Sequence, residues 1–239
     1  MSELVEKTTL FFRDPSALTT IIKRLAPLFG DKCKVASVGC SKGDEVFSLL
    51  FLNQLARTGV EINIDGYDYR QYELNIARKG IYPSRELVVP PEMRLPYDKY
   101  RRALSKKLTG ELPELAQFFV MPQDIREKSS FTAHDISKAA LPRGYPIILC
   151  ANVLYHYFWQ NDMCLLQVLD NLADSLEGNG YIVCEDTYTV QMGAAYSQVL
   201  ESHKAFRKRY DLGVVFPYRY RGTSDLVSVE QARVFQKVN

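Results

Sequence analysis

Apolar positions near the start of the chain recur at helical spacing. In "RDPSALTTIIKRLAPLFG", Leu18, Ile21, Ile22 and Leu25 share one stripe, Asp14 is set to cap it, Pro15 takes the first helical position, and Pro27 and Gly30 end it. This predicts an amphipathic first helix. The period then changes: "KVASV" (34–38) reads as a strand, Asp44 to about Arg57 as a helix, "EINIDGYD" (61–68) as a strand, and "QYELNIARKG" as a helix closed by Gly80. Strands alternating with helices require a parallel sheet with right-handed crossovers.

Residues 81–133 break the rhythm. "PSRELVVPPEMRLPYDKYRRALSKKL" is punctuated by proline, and "QFFVMPQDIREKSSF" reads as two short strands joined by a polar turn, so the segment is expected to be an insertion. The alternation resumes with strand "PIILCA" (146–151), helix "NDMCLLQVLDNLADSL" with Leu165, Leu169, Leu172 and Leu176 at core spacing, turn "EGNG", and strand "YIVCED" (181–186). A helix near 193–209 and one or two strands ("VVF", "ARVFQKV") complete the pattern. The expected fold is a single α/β domain over 1–239, an open, doubly wound, mostly parallel sheet, with an inserted subdomain at 81–133 and a C-terminal extension at 187–239.

Composition narrows the function classes. The 239 residues suit one substantial domain with a small insertion, and no repeat or low-complexity run is present. Thirty basic and 28 acidic residues leave a net charge of +2, too little for a field that holds a polyanion, so nucleic acid is set aside as a partner. The basic clusters Arg101-Arg102, Lys106-Lys107 and Lys204 to Arg209 read as solvated helix faces. No signal-peptide pattern and no run of about 18 apolar residues occurs, so a soluble, cytoplasmic protein without membrane insertion is expected. Five cysteines without a C-x-x-C pair suggest neither a disulfide framework nor a zinc site, and no metal is expected.

The chemistry concentrates in the first strand-to-helix turn, "GCSKGDE" (39–45). Open α/β sheets bind ligands beyond the carboxyl ends of their strands. A Walker phosphate loop is absent, and the glycines are spaced G-x-x-x-G rather than G-x-G-x-x-G. Asp44 and Glu45 at the helix start would repel a pyrophosphate, and they suit a ligand with positive charge. Asp68, at the end of the second strand, is placed to accept hydrogen bonds from the two hydroxyls of a ribose. A ribosyl ligand with cationic groups and no pyrophosphate describes S-adenosylmethionine. The two acids also stabilise a helix N-terminus, and Asp68 also reads as a helix cap.

Four segments, "TLFFRDP" (9–15), "GCSKGDEVFSL" (39–49), "YDYRQYELNIARKGIY" (67–82) and "ILCANVLYHY" (148–157), carry a family resemblance. In order and approximate spacing they resemble the CheR-type chemotaxis-receptor methyltransferases. That family shows T-x-F-F-R-D, then G-C-S-T-G-E-E-P-Y-S, then a D-I-D strand end with A-R-x-G-I-Y, then C-R-N-V-x-I-Y-F. The resemblance implies a class I, Rossmann-like methyltransferase fold, S-adenosylmethionine as cofactor, and transfer of methyl to receptor glutamates. It places the family's receptor-docking β-subdomain at 81–133. Residue by residue it implies that Thr9 and Arg13 border the methionine end of the cofactor, that Gly39, Ser41, Gly43 and Glu45 form its turn, and that Asp68 holds the ribose. Asp135 and Ile136 of "AHDIS" would contact adenine, and Asn152 would stand near the sulfonium. "LEGNGYIV" also resembles the turn after the long helix in class I methyltransferases. Phe11, Phe12 and Ile81 read as core.

Three departures from the family pattern stand out. The family's helical receptor-gripping domain is expected to be absent, because Thr9 lies only eight residues from the start. The family's active-site tyrosine falls on His156 in an ungapped reading and on Tyr157 after a one-residue shift. The stretch after Asp186 is longer than the family tail and rich in tyrosine, suiting a different substrate wall. Arg13, His156 and Tyr157 are therefore the catalytic candidates. A carboxylate acceptor is ionised at neutral pH and needs only an aligning donor, whereas a hydroxyl or ammonium must lose a proton, which His156 can accept. His156 equally reads as a strand-end residue with no proton to transfer; His134 is expected to face the sheet and His203 solvent. The acceptor is then a protein carboxylate or a hydroxyl. Small-molecule O- or N-methylation and a non-catalytic cofactor-binding module remain as alternatives, and a nicotinamide oxidoreductase is disfavoured by the glycine spacing.

Overall fold

The parallel sheet forms from five segments: β1 (Lys32–Val38), β2 (Glu61–Asp68), β5 (Ser129–Ala133), β6 (Tyr145–Ala151) and β7 (Leu176–Glu185). They lie in the order β5-β2-β1-β6-β7, each pair parallel. The computed structural model describes residues 11–12, 15–86, 117–142, 144–151, 153–154, 156–157, 162–185, 198–212, 214–219 and 226–238. β10 (Leu226–Lys237) joins β7 antiparallel, and β8 (Phe206–Lys208) joins β10 antiparallel. β9 (Val214–Arg219) pairs with the first half of β10. The chain moves outward from β1 to β2 and β5, then returns to β6 on the other side of β1. Strand order therefore reverses between β1 and β6, opening a crevice at their carboxyl ends.

The period of two along these strands sends alternate residues to two cores. Val35, Ile64, Ile147 and Val183 pack on one face with Phe12, Ile21, Leu25 and Phe47. Ala36, Ile148, Cys150 and Ile182 pack on the other with Leu165, Val168, Leu169 and Leu172. Leu165, Leu169 and Leu172 lie on α5 (Asp162–Ser175), as their spacing predicted, whereas Leu176, expected on the same helix, begins β7. Helix α2 (Asp44–Ala56) is buried continuously from Asp44 to Leu52, and α3 (Gln71–Lys79) buries only Leu74 and Ala77.

The first helix is less regular than its pattern suggests. α1 (Pro15–Thr20) passes into a widened π turn at Ile21–Leu25, where the Ala26 amide bonds to the Ile21 carbonyl, and then into a 3-10 turn at Ala26–Phe29. Pro27 has no N–H to continue an α-helical ladder, so the backbone changes its winding to reach Gly30. Leu18, Ile21, Ile22 and Leu25 are buried all the same.

Several expectations change. "QFFVMPQDIREKSSF" forms two strands that belong to different sheets. β4 (Phe118–Val120) pairs antiparallel with β3 (Ile81–Pro83), whereas β5 after the short α4 (Gln123–Arg126) is the edge strand beside β2. Residues 129–133 are thus part of the main sheet. Likewise, 206–208 and 226–237 of the expected extension complete the main sheet. Within the predicted helix 193–209, only 198–202 is helical among the described residues, because Phe206–Lys208 pairs with β10. The "EGNG" turn is absorbed into β7, with Asn179 at φ 64 and a register shift opposite Tyr145 and Ile147. Ile81, read as core, is 46% exposed, since Tyr82 takes the inward position of β3. His203, read as solvent-facing, is buried and lies 3.3 Å from the Asp170 carboxylate.

Candidate functional site

The turn leaving β1 is shaped by its backbone. The Gly39 and Cys40 amides both donate to the Tyr67 carbonyl, at 2.7 and 3.0 Å, which folds the turn over the end of β2. Gly39 sits at φ 68, and a Cβ there would come within 2.3 Å of Val153 Cγ2. Gly43 sits at φ 86 against Phe131 and Ala77, and its carbonyl accepts the Phe47 amide to start α2. Both glycines are required by left-handed backbone and by close packing across the crevice.

The turn is then clamped from two sides. On one, Ser41 N donates to Asp68 Oδ2 at 2.9 Å, and Arg70 N donates to Asp68 Oδ1 at 2.9 Å. Asp68 is 4% exposed, so its charge is held by these amides and by the Arg70 guanidinium, whose Nε lies 3.4 Å from Oδ1. On the other side, the Tyr82 hydroxyl donates to the Lys42 carbonyl, and Lys42 Nζ pairs with Glu86 Oε1 at 3.0 Å. Tyr82 is itself fixed by Phe119 and Phe11, with ring centroids 5.4 and 5.0 Å away. The base of the insertion therefore holds the turn in place.

Asp44 and Glu45 occupy the first turn of α2 and are both buried. Among the described residues, neither oxygen of Asp44 has a hydrogen-bond partner. Burial pushes its carboxyl up to about 7, with Glu86 and Glu45 adding to the rise and Lys42 opposing it. An ionised carboxylate in this place is offset in part by Lys42 and accepts no hydrogen bond among the described residues, which disfavours an anionic ligand nearby and favours a cationic one.

Beyond β5, Asp135 accepts from Ser137 N at 3.1 Å and Ser137 Oγ at 2.6 Å and pairs with Lys138 at 3.1 Å. Burial raises its carboxyl, and these partners more than offset that, leaving it below the usual range. Ile136 is buried in the second core, and its carbonyl accepts from Asn171 at 2.7 Å. Beyond β6, His156 is exposed; partial burial of its ring and the Arg70 guanidinium hold its imidazole below the ordinary value. Tyr157 packs partly on the second core, and burial, then Asp135, push its phenol up to about 12.

The structure thus gathers Gly39, Ser41, Gly43, Glu45, Asp68, Asp135, Ile136, His156 and Tyr157 around the carboxyl ends of β1, β2, β5 and β6. Thr9, Arg13 and Asn152 lie outside the described residues. Arg70 was missed from sequence, although a signal existed: "DYR" stands where the resembled pattern has D-I-D. Asp44 was read only for its charge, since isolation from partners is a tertiary property. A separate cavity of about 370 Å³, lined by Lys34, Asp65, Lys128 and Ser130, opens at the amino ends of β1, β2 and β5. It faces away from the strand ends where this architecture binds ligands.

Residues 7–206 match the family model "CheR methyltransferase, SAM binding domain". A Pseudomonas putida protein provisionally named methyltransferase Cher3 is 23% identical over 209 residues, covering 82% of this chain and 71% of that protein. A Listeria innocua chemotaxis protein methyltransferase is 25% identical over 186 residues, covering 76% of this chain and 65% of that protein. The N-methyltransferase NodS from Bradyrhizobium japonicum, solved with S-adenosyl-L-homocysteine, superposes with a TM-score of 0.54 at 11% identity, over 98% of this chain and 91% of that one. At that identity the likeness is one of fold, the class I methyltransferase sheet.

Proposed function

The chain belongs to the CheR methyltransferase family, and from that premise we propose that this S-adenosylmethionine-dependent methyltransferase esterifies a carboxylate, on a protein side chain in the first instance. The residues fit the cofactor. Asp68 retains acceptor capacity for ribose hydroxyls, and the unpartnered oxygens of Asp44 suit a site for a ligand carrying positive charge. Gly39, Ser41, Gly43, Glu45, Asp68, Asp135 and Ile136 are the described residues that would hold it, joined by Thr9, Arg13 and Asn152. When bound, the group supplies an electrophilic methyl on a sulfonium.

The observation that carries the acceptor class is the placement of Tyr157 against the second core just beyond the end of β6. Burial and Asp135 keep the Tyr157 phenol protonated well above neutral pH, so it offers a hydrogen-bond donor and no base. A carboxylate acceptor needs only such a donor to align it, because it is already ionised. The His156 imidazole, held below its ordinary value by partial burial and Arg70, competes less as a cation for the acceptor. A hydroxyl acceptor is the second reading, carried by that same neutral imidazole, which can take a proton.

The insertion that begins at Ile81 is the proposed docking element for the acceptor. Its support is the tie from Tyr82 and Glu86 to the cofactor turn, which couples that element to the site. A cytoplasmic location and a single-domain organisation belong to the same proposal; no described helix is long and apolar enough to cross a membrane.

The test is incubation with S-adenosylmethionine labelled in its methyl group and carboxylate-, hydroxyl- and amine-bearing acceptors. Label released as methanol by mild alkali identifies a carboxyl methyl ester. Alkali-stable label on an amine or hydroxyl would replace this reading, and absence of transfer across the panel would support a binding module.

A further inference from the structure

Asp68 is 3% exposed at its side chain, yet Arg70, bound to it, is 43% exposed. The guanidinium therefore lies between the carboxylate and solvent. It reaches Asp68 Oδ1 through Nε at 3.4 Å and the Ser41 hydroxyl through Nη2 at 3.2 Å. Asp68 has about four acceptor positions. Two are filled by backbone amides of Ser41 and Arg70 that belong to the turn itself. The remaining pair is what a vicinal diol needs, and Nε occupies one of them.

The same side chain has a second seat one helical turn away. Arg70 Nη1 is already 4.0 Å from Glu73 Oε1, an i,i+3 neighbour on α3. Glu73 Oε2 is buried and has no hydrogen-bond partner among the described residues. The long Asp68 contact and the nearby Glu73 carboxylate give the guanidinium two acidic neighbours within 4.0 Å.

We propose that Arg70 is a displaceable cover on Asp68, and that the ribose diol of the cofactor gains Asp68 by moving the guanidinium onto Glu73. Arg70 and Glu73 together then set cofactor affinity. The inference rests on the reading of Asp68 as the ribose partner. A cover in place about nine-tenths of the time lowers the apparent affinity about tenfold.

Calorimetric titration with S-adenosylhomocysteine tests this on the wild type, Arg70→Ala, Glu73→Gln, the double variant and Asp68→Asn, with thermal melts to confirm folding. Arg70→Ala is expected to tighten binding about three- to tenfold, Glu73→Gln to weaken it by a similar factor, and Glu73→Gln to have no effect once Arg70 is gone. Weaker binding by Arg70→Ala, showing that the guanidinium itself holds the ligand, or an equal Glu73→Gln effect in both backgrounds, would overturn the proposal. If Asp68→Asn leaves binding unchanged, the ribose reading fails and the cover with it. If Asp68→Asn abolishes binding while Arg70→Ala does not tighten it, the cover alone fails.

Discussion

The Ser41 amide and the Asp68 carboxylate meet at 2.9 Å, joining the turn after β1 to the end of β2. One carboxylate thus holds the turn in shape and faces the crevice. Asp68→Ala is expected to lower stability by about 1–3 kcal/mol, since it strands the buried Ser41 amide and the partly buried Arg70 amide. It should also weaken S-adenosylhomocysteine binding at least tenfold. Denaturant unfolding and calorimetry separate the two losses, and full retention of affinity would remove Asp68 from the site.

Gly39→Ala should be among the most damaging single-methyl changes in the chain. It places a Cβ 2.3 Å from Val153 Cγ2 at a backbone φ of 68. The expected loss is about 2–4 kcal/mol. Adding Val153→Ala should recover the steric part and leave about 1–2 kcal/mol for the left-handed backbone. An undiminished loss in the double variant would assign the whole effect to φ.

Asp44 gives the fold a pH signature. Its carboxyl is raised to about 7 from an ordinary 3.8, so the folded chain binds the proton more tightly than the unfolded chain. Stability should therefore fall as pH rises from about 4 to 7, by about 2–4 kcal/mol, and level off above. Asp44→Asn should flatten that slope and melt higher than the wild type at pH 8. Melting curves across this window check both.

Arg70 lowers the proton affinity of His156, in addition to partial burial. Arg70→Gln should raise the imidazole pKa toward its ordinary value without fully restoring it, because the burial contribution stays. Titration of the His156 ring by nuclear magnetic resonance measures the shift. No movement would place the two groups too far apart to interact.

Tyr157→Phe should leave S-adenosylhomocysteine affinity within about twofold and slow methyl transfer by about 10- to 100-fold. The phenol is assigned to the acceptor and not to the cofactor. A parallel loss of cofactor affinity would move Tyr157 to the cofactor side.

Leu165, Leu169 and Leu172 announced α5 because one buried face enforces a helical period. The bounds of β2 were legible from its apolar residues at a period of two, and the start of α2 from Asp44 and Glu45, which suit a helix N-terminus. Patterning misread Phe206–Lys208, which lies within a run that scores as helix until β10 supplies hydrogen-bond partners. It also assigned both β4 and β5 to the insertion, since a short apolar run does not say which strand it will pair with.

The sequence by itself determined the alternation of strands and helices, the place of the glycine turn after β1 and the chemistry of its acids, because period and residue type are local properties. Tertiary structure alone decided that Ser129–Ala133 belongs beside β2, that Arg70 covers Asp68 while its neighbour Glu73 keeps an unpartnered oxygen, and that Tyr82 clamps Lys42. Those are pairings between segments distant in the chain or the outcome of burial, and burial is settled only when the rest of the chain has taken its place.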